Sequence, residues 1–130
     1  MESDGYIGYE SGLYLWDEKY ESQAIFQNRE DGTLPARGRH RFEIFFDTDE
    51  LEKYWQSLTS AGVKPIHPII EMNWGQQVLR VYDPDGNIVE LGEPLETFVG
   101  RFLRQGLSIE QTSQRTFTPL ETVRKIAEKI

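Results

Sequence analysis

The chain has 130 residues and no cysteine, and its 22 acidic against 14 basic side chains give a net charge of −8. That excludes disulfides and thiolate metal sites, and it argues against a dedicated binder of nucleic acid or anionic membrane. Hydrophobic content of 38%, with 12% aromatics, suffices to fill a core, so the chain reads as one domain with an appendage.

No apolar run of about 18 residues and no signal-peptide pattern is present, which makes the cytoplasm the expected location. Residues 1–5 are expected to fray. Residues 6–10 and 13–16 read as two short strands about Ser11-Gly12. Residues 18–39 read as a long irregular connection punctuated by Asp31-Gly32, Pro35 and Gly38, in which Ala24-Ile25-Phe26 is the segment able to dock. Residues 41–46 form a strand, with Phe42, Ile44 and Phe46 on one face and Arg41, Glu43 and Phe45 on the other. The acidic 47–49 then cap a helix over 49–61 with Leu51, Tyr54, Trp55 and Leu58 at helical spacing, stopped by Gly62. Residues 66–72 are a further strand, which Pro65 and Pro68 place near an edge or bulge.

Residues 74–92 read as a β-hairpin. Val78-Leu79-Arg80-Val81-Tyr82 alternates, Asp83-Pro84-Asp85-Gly86 is a turn, and Ile88-Val89-Glu90-Leu91 resumes the alternation. Period two puts Val78, Arg80 and Tyr82 on one face of the first strand, and Ile88 and Glu90 together on the second. A carboxylate and a guanidinium are thus aimed from paired strands. Residues 40–93 read β-α-β-β-β, the helix covering one face of an antiparallel or mixed sheet. The other face, with Glu43, Phe45, Ile88 and Glu90, is left to line a cavity.

From residue 95 the pattern is helical. Residues 95–103 are periodic and end at Gly106, Ser108 with Gln111 forms a capping box, and Thr118-Pro119-Leu120-Glu121 reads as a second with proline at the first helical position. Leu120, Val123, Ile126, Ala127 and Ile130 make an apolar stripe. Residues 95–130 hold six Lys/Arg against four Asp/Glu, the rest of the chain eight against eighteen. The last two helices have helix-turn-helix length. Yet only Arg124, Lys125 and Lys129 offer donors, so a packing clasp is expected and nucleic acid is not.

The β-α-β-β-β unit with Asp83-Pro84-Asp85-Gly86-Asn87 and the following Ile88-Val89-Glu90-Leu91 resembles the vicinal oxygen chelate superfamily of glyoxalases, bleomycin-resistance proteins and extradiol dioxygenases. The resemblance covers about residues 5–93. It implies an α+β fold with a mixed, curled sheet: a glyoxalase/bleomycin-resistance-like domain over 1–94 and a helical C-terminal extension over 95–130. A truncated first module spans 5–39, lacking its first strand and helix, and a complete second module spans 40–93. In that superfamily a divalent metal is held by the first and last strands of each module. Glu90 matches the last-strand ligand of the second module, and Glu43 stands where its first strand usually carries histidine. Tyr14 falls near the last-strand ligand of the first module, whose first ligand has no counterpart. The resemblance therefore leaves the usual metal set incomplete. A half-module also exposes unpaired strand edges, so a homodimer is expected.

Glu90 and Glu43 are the candidate catalytic or metal-ligating residues. A carboxylate in an apolar cup acquires a pKa suited to proton transfer, while the competing reading pairs Glu90 with Arg80 as a structural ion pair. Trp74, Tyr14, Arg80, Tyr82 and Phe45 are candidates to line a small-molecule cup, against ordinary packing. His40 reads as solvated and His67, between Ile66 and Pro68, as a structural histidine. Three readings follow. The first is a protein binding a small aromatic or planar molecule without the usual metal. The second is a lyase, isomerase or dioxygenase. The third is a ligand sensor acting through its helical tail.

Overall fold

The computed structural model describes residues 2–3, 6–8, 14–16, 24–25 and 42–130, and the chain divides into two compact units, Met1–Phe42 and Glu43–Ile130. In the first, β1 (Glu2–Ser3), β2 (Tyr6–Gly8) and β3 (Tyr14–Trp16) form an antiparallel sheet, with Ser3 opposite Tyr6 and Ile7 opposite Leu15. The expected fraying of residues 1–5 is corrected here: Glu2 and Ser3 are paired. That pairing comes from backbone hydrogen bonds, which two polar side chains do not advertise. A third strand thus joins the two expected in this half. Ala24 and Ile25 are helical, and Ile25 is buried. The loop expected over the remainder of 18–39 lies outside the described residues, as do His40 and Arg41.

The second unit holds β4 (Glu43–Asp47), α1 (Leu51–Ser60), β5 (Pro65–Glu71), β6 (Gln77–Tyr82), β7 (Ile88–Gly92), α2 (Leu95–Arg104), α3 (Ile109–Thr116) and α4 (Leu120–Glu128). The sheet runs β4-β7-β6-β5. It is mixed, because β4 joins β7 in parallel while the other neighbours are antiparallel. The β6–β7 turn forms as its chemistry requires. Asp83 Oδ1 accepts from the amides of Asp85 and Asn87, its Oδ2 accepts from the Asn87 amide group, and Gly86 takes φ +82. The Asn87 side chain, with the surrounding amides, holds the Asp83 carboxyl below its usual range.

Helix α1 buries Leu51, with Trp55 and Leu58, against Leu79, Val81, Val89 and Leu91 on one face of the sheet. Tyr54, expected on that stripe, is exposed instead. The expected acidic cap is also corrected. Glu50 holds the cap position with no side-chain cap bond, its carboxylate pairing with Lys53; the Thr48 hydroxyl accepts from the Glu50 amide, and Asp49 accepts from the Thr97 hydroxyl of α2. Gly62 follows at φ +78, and the Val63 amide closes onto the Leu58 carbonyl at 3.0 Å.

Helices α2 and α4 pack Phe98, Val99, Val123 and Ile126 into a second core that takes in Trp74, Leu103 and Ile109. The Ser108–Gln111 capping box is complete. The second expected box is not formed: Pro119 occupies the cap itself, and the Thr118 hydroxyl bonds to Thr116.

Candidate ligand site on the sheet

The face of the sheet turned away from α1 is organised around Arg80. Its strand, β6, lies inside the sheet, and Arg80 stands opposite Glu90 on β7 and His67 on β5. The guanidinium is fully buried. Its Nε donates to Glu43 Oε2 at 3.1 Å, Nη2 to Glu90 Oε2 at 2.9 Å, and Nη1 to His67 Nε2 at 3.2 Å, with Met72 Sδ 3.9 Å from Nη1. Four strands thus each contribute one member of a polar cluster: Glu43 from β4, His67 from β5, Arg80 from β6 and Glu90 from β7.

The charges do not cancel. One guanidinium faces two carboxylates, so a fully ionised cluster would carry a net negative charge out of water. Protonating one carboxyl relieves this. Burial pushes the Glu90 pKa from 4.5 up to about 8, against the pull of Arg80, and the charge of Glu43 and its hydrogen bond to Glu90 raise it further. Histidine 67 has an assignable tautomer. Its Nδ1 lies 2.7 Å from the Pro68 carbonyl, which only accepts, so Nδ1 carries the proton and Nε2 is left to receive the Arg80 N–H.

Residues 1–96 match the family described as "Glyoxalase-like domain". The chain belongs to this glyoxalase-like family. A solved structure of a protein of unknown function from Agrobacterium tumefaciens is 25% identical, covering 73% of this chain and 72% of that one at a TM-score of 0.40. A glyoxalase/bleomycin resistance protein/dioxygenase superfamily member from Sphaerobacter thermophilus is 35% identical over 39% of this chain and 41% of its own, with a TM-score of 0.38. A lactoylglutathione lyase from Agrobacterium tumefaciens is 20% identical, covering 68% and 74% at a TM-score of 0.36. No curated protein matches the sequence.

Within the glyoxalase-like domain, Phe45 shares the Arg80 face. It pairs with Glu90, remains 47% exposed, and lies so close over Gly92 that a Cβ there would come within 2.8 Å of its ring. Tyr82 is on the same face, with Lys64 Nζ 5.5 Å from its ring centre. Trp74 sits elsewhere, at the β5–β6 turn, packed into the helical core with its indole N–H on Gln76 Oε1 at 2.9 Å. Tyr14 belongs to the first unit, on β3, where its ring is exposed. His67, read from the sequence as a structural histidine, is buried and hydrogen-bonded within this polar cluster. Two register irregularities in β5 put both His67 and Ile70 opposite front-face residues of β6, and unbroken alternation would separate them. Only the Pro68 beside it hints at this.

The metal implied by the resemblance does not fit these residues. One oxygen of Glu43, one of Glu90 and the Nε2 of His67 are all turned toward Arg80, whose positive charge a divalent ion between the carboxylates would have to face at close range. Among the described residues, no three His, Asp or Glu side chains are arranged to hold a metal.

Proposed function

We propose that this glyoxalase-like protein binds a small aromatic or planar molecule on the Arg80 face of its sheet, without the usual metal set. One observation carries the reading: a half-exposed ring, Phe45, stands in line with a buried carboxyl, Glu90, and next to the partly accessible Glu43. A flat apolar surface beside a few fixed polar groups is the composition of small-molecule sites. Glu90 keeps its proton to about pH 8 and shares it with Glu43, so the more accessible Glu43 is the polar group a ligand would meet. Thermal-shift screening of the intact protein against aromatic metabolites and antibiotics tests this. A hit is expected to lose at least tenfold in affinity in F45A and E43Q; equal affinity in both variants removes the reading.

The pKa of Glu90 favours a second reading, a lyase or isomerase in which this carboxyl moves a proton next to a substrate carbonyl. Its test is exchange of a substrate α-proton for deuterium, abolished in E90Q. The metal-dependent form of that chemistry would require Arg80 to withdraw.

The same proposal assigns ligand binding to residues 1–94 and the role of an intramolecular clasp to residues 95–130. Arg115 reaches the Asn73 carbonyl and Glu71, and Lys129 reaches Glu96, contacts that tie the helices to the sheet side and to one another. A homodimer is included, supported by the exposed Phe42, Ile44 and Phe46 in and beside edge strand β4; sedimentation at micromolar concentration reads it directly. A cytoplasmic setting agrees with the absence of cysteine. No helix among the described residues is long and apolar enough to cross a membrane.

A further inference from the structure

We propose that Arg80 is the resident cation of this site, and that Glu43, Glu90 and His67 form a receptor for one planar guanidinium group, filled from within by the chain itself. The inference deepens the metal-free reading above and uses the same face of the sheet. Three acceptors on three different strands each meet a different nitrogen of one group: Glu43 at Nε, Glu90 at Nη2 and His67 at Nη1. Met72 Sδ stands 3.9 Å from Nη1 as a fourth, softer neighbour. A lysine ammonium is a point charge and has no planar fork to match acceptors spread in this way.

The spacing also selects against a metal ion. An acceptor about 3 Å beyond a guanidinium nitrogen stands roughly 4 Å from the centre of the group. First-row metal ligands stand about 2 Å from the ion. The three acceptors would all have to move inward by about 2 Å to coordinate. The orientation of His67 belongs to the same device. Its Nδ1–H is committed to the Pro68 carbonyl at 2.7 Å, which presents Nε2 to the guanidinium as an acceptor. The irregular pairing of β5 that sets His67 opposite Arg80 supplies this third wall.

The test is chemical complementation. In full-length R80A, guanidinium chloride at up to about 20 mM is expected to raise the melting temperature saturably by about 3–6 °C. Sodium or tetramethylammonium chloride at equal concentration should not, and the wild type should not respond. Zinc, nickel and manganese should give no saturable rise. Stabilisation of R80A by a metal and not by guanidinium overturns the proposal, and so does stabilisation by neither. A second measurement holds should R80A not fold: in the wild type, the Arg80 Nε–H resonance is expected to exchange slowly and to stay put when zinc is added. A zinc-induced shift of that resonance, or about one metal bound per chain after dialysis, overturns it equally. An empty ligand screen would remove the small-molecule reading while leaving this complementation intact; failed complementation would leave any screening hit standing.

Discussion

Arg80 and Glu90 stand directly opposite each other on β6 and β7, joined by an Nη2–Oε2 contact of 2.9 Å in which both side chains are buried. Removing the guanidinium leaves Glu43, His67 and Glu90 without their shared donor, whereas neutralising Glu90 leaves that donor in place. We expect R80M to lose about 3–5 kcal/mol in urea denaturation. E90Q, which copies the neutral carboxyl favoured below pH 8, should lose about 1 kcal/mol or less at neutral pH. Equal losses in the two variants would show that Glu90 is ionised in the native state.

The raised pKa of Glu90 makes stability depend on pH in a definite direction. The unfolded carboxyl titrates near 4.5 and the folded one near 8, so between these values the native state binds more protons than the unfolded state. Stability from this group is complete below pH 4.5, declines as pH rises, and is lost once pH passes 8. Denaturation midpoints measured from pH 5 to 9 should fall in the wild type and flatten in E90Q. A midpoint that rises across this window contradicts the assignment. Asp83, whose carboxyl is held low, works in the opposite sense, but only as pH falls through the acid range.

Two glycines of positive φ separate conformational strain from steric overlap. Gly62 has φ +78 with open space about its Cα, whereas a Cβ on Gly75, at φ +85, would come within 2.3 Å of the Phe102 ring. G62A should cost about 1 kcal/mol. G75A should cost more, about 2–4 kcal/mol, since strain and overpacking add. Thermal melts of the two variants side by side decide it.

Arg101 and Arg115 hold the β5–β6 turn from the helical side. Both lie over the Phe102 ring, one donating to the Gly75 carbonyl at 2.9 Å and the other to the Asn73 carbonyl at 2.6 Å. The Arg115–Glu71 pair is partly exposed, so R115A should change global stability by only about 0.5–1 kcal/mol. Its effect should be local: faster hydrogen exchange at 73–76, with the amides of β7 unchanged. Uniform acceleration across the sheet would contradict a local anchor.

What the sequence shows and what it hides follow from the range of the interactions. The hairpin at 77–92, with Arg80 and Glu90 on one face, is legible because alternation and turn chemistry act between near neighbours. The Ser108 capping box is legible for the same reason. Features set by distant partners are not. The Asp49 carboxylate bonds to Thr97, far along the chain, and not to the amides of its own helix. Thr118 bonds back to Thr116, a choice fixed by how α3 ends at Phe117 with φ +53. Histidine 67 joins Arg80 only through the broken register of β5, which a lone proline cannot specify.

The parallel union of β4 with β7 also bears on how the chain reaches this state. β6 and β7 meet across a tight turn, so their contact can form on the microsecond timescale of a hairpin. Glu43 meets Ile88 only after a long loop has closed, with α1 and β5 in between, and such closure is slow. By that ordering Arg80 is expected to meet Glu90 early and Glu43 late, so that the docking of β4 closes the ionic cluster and this sheet together.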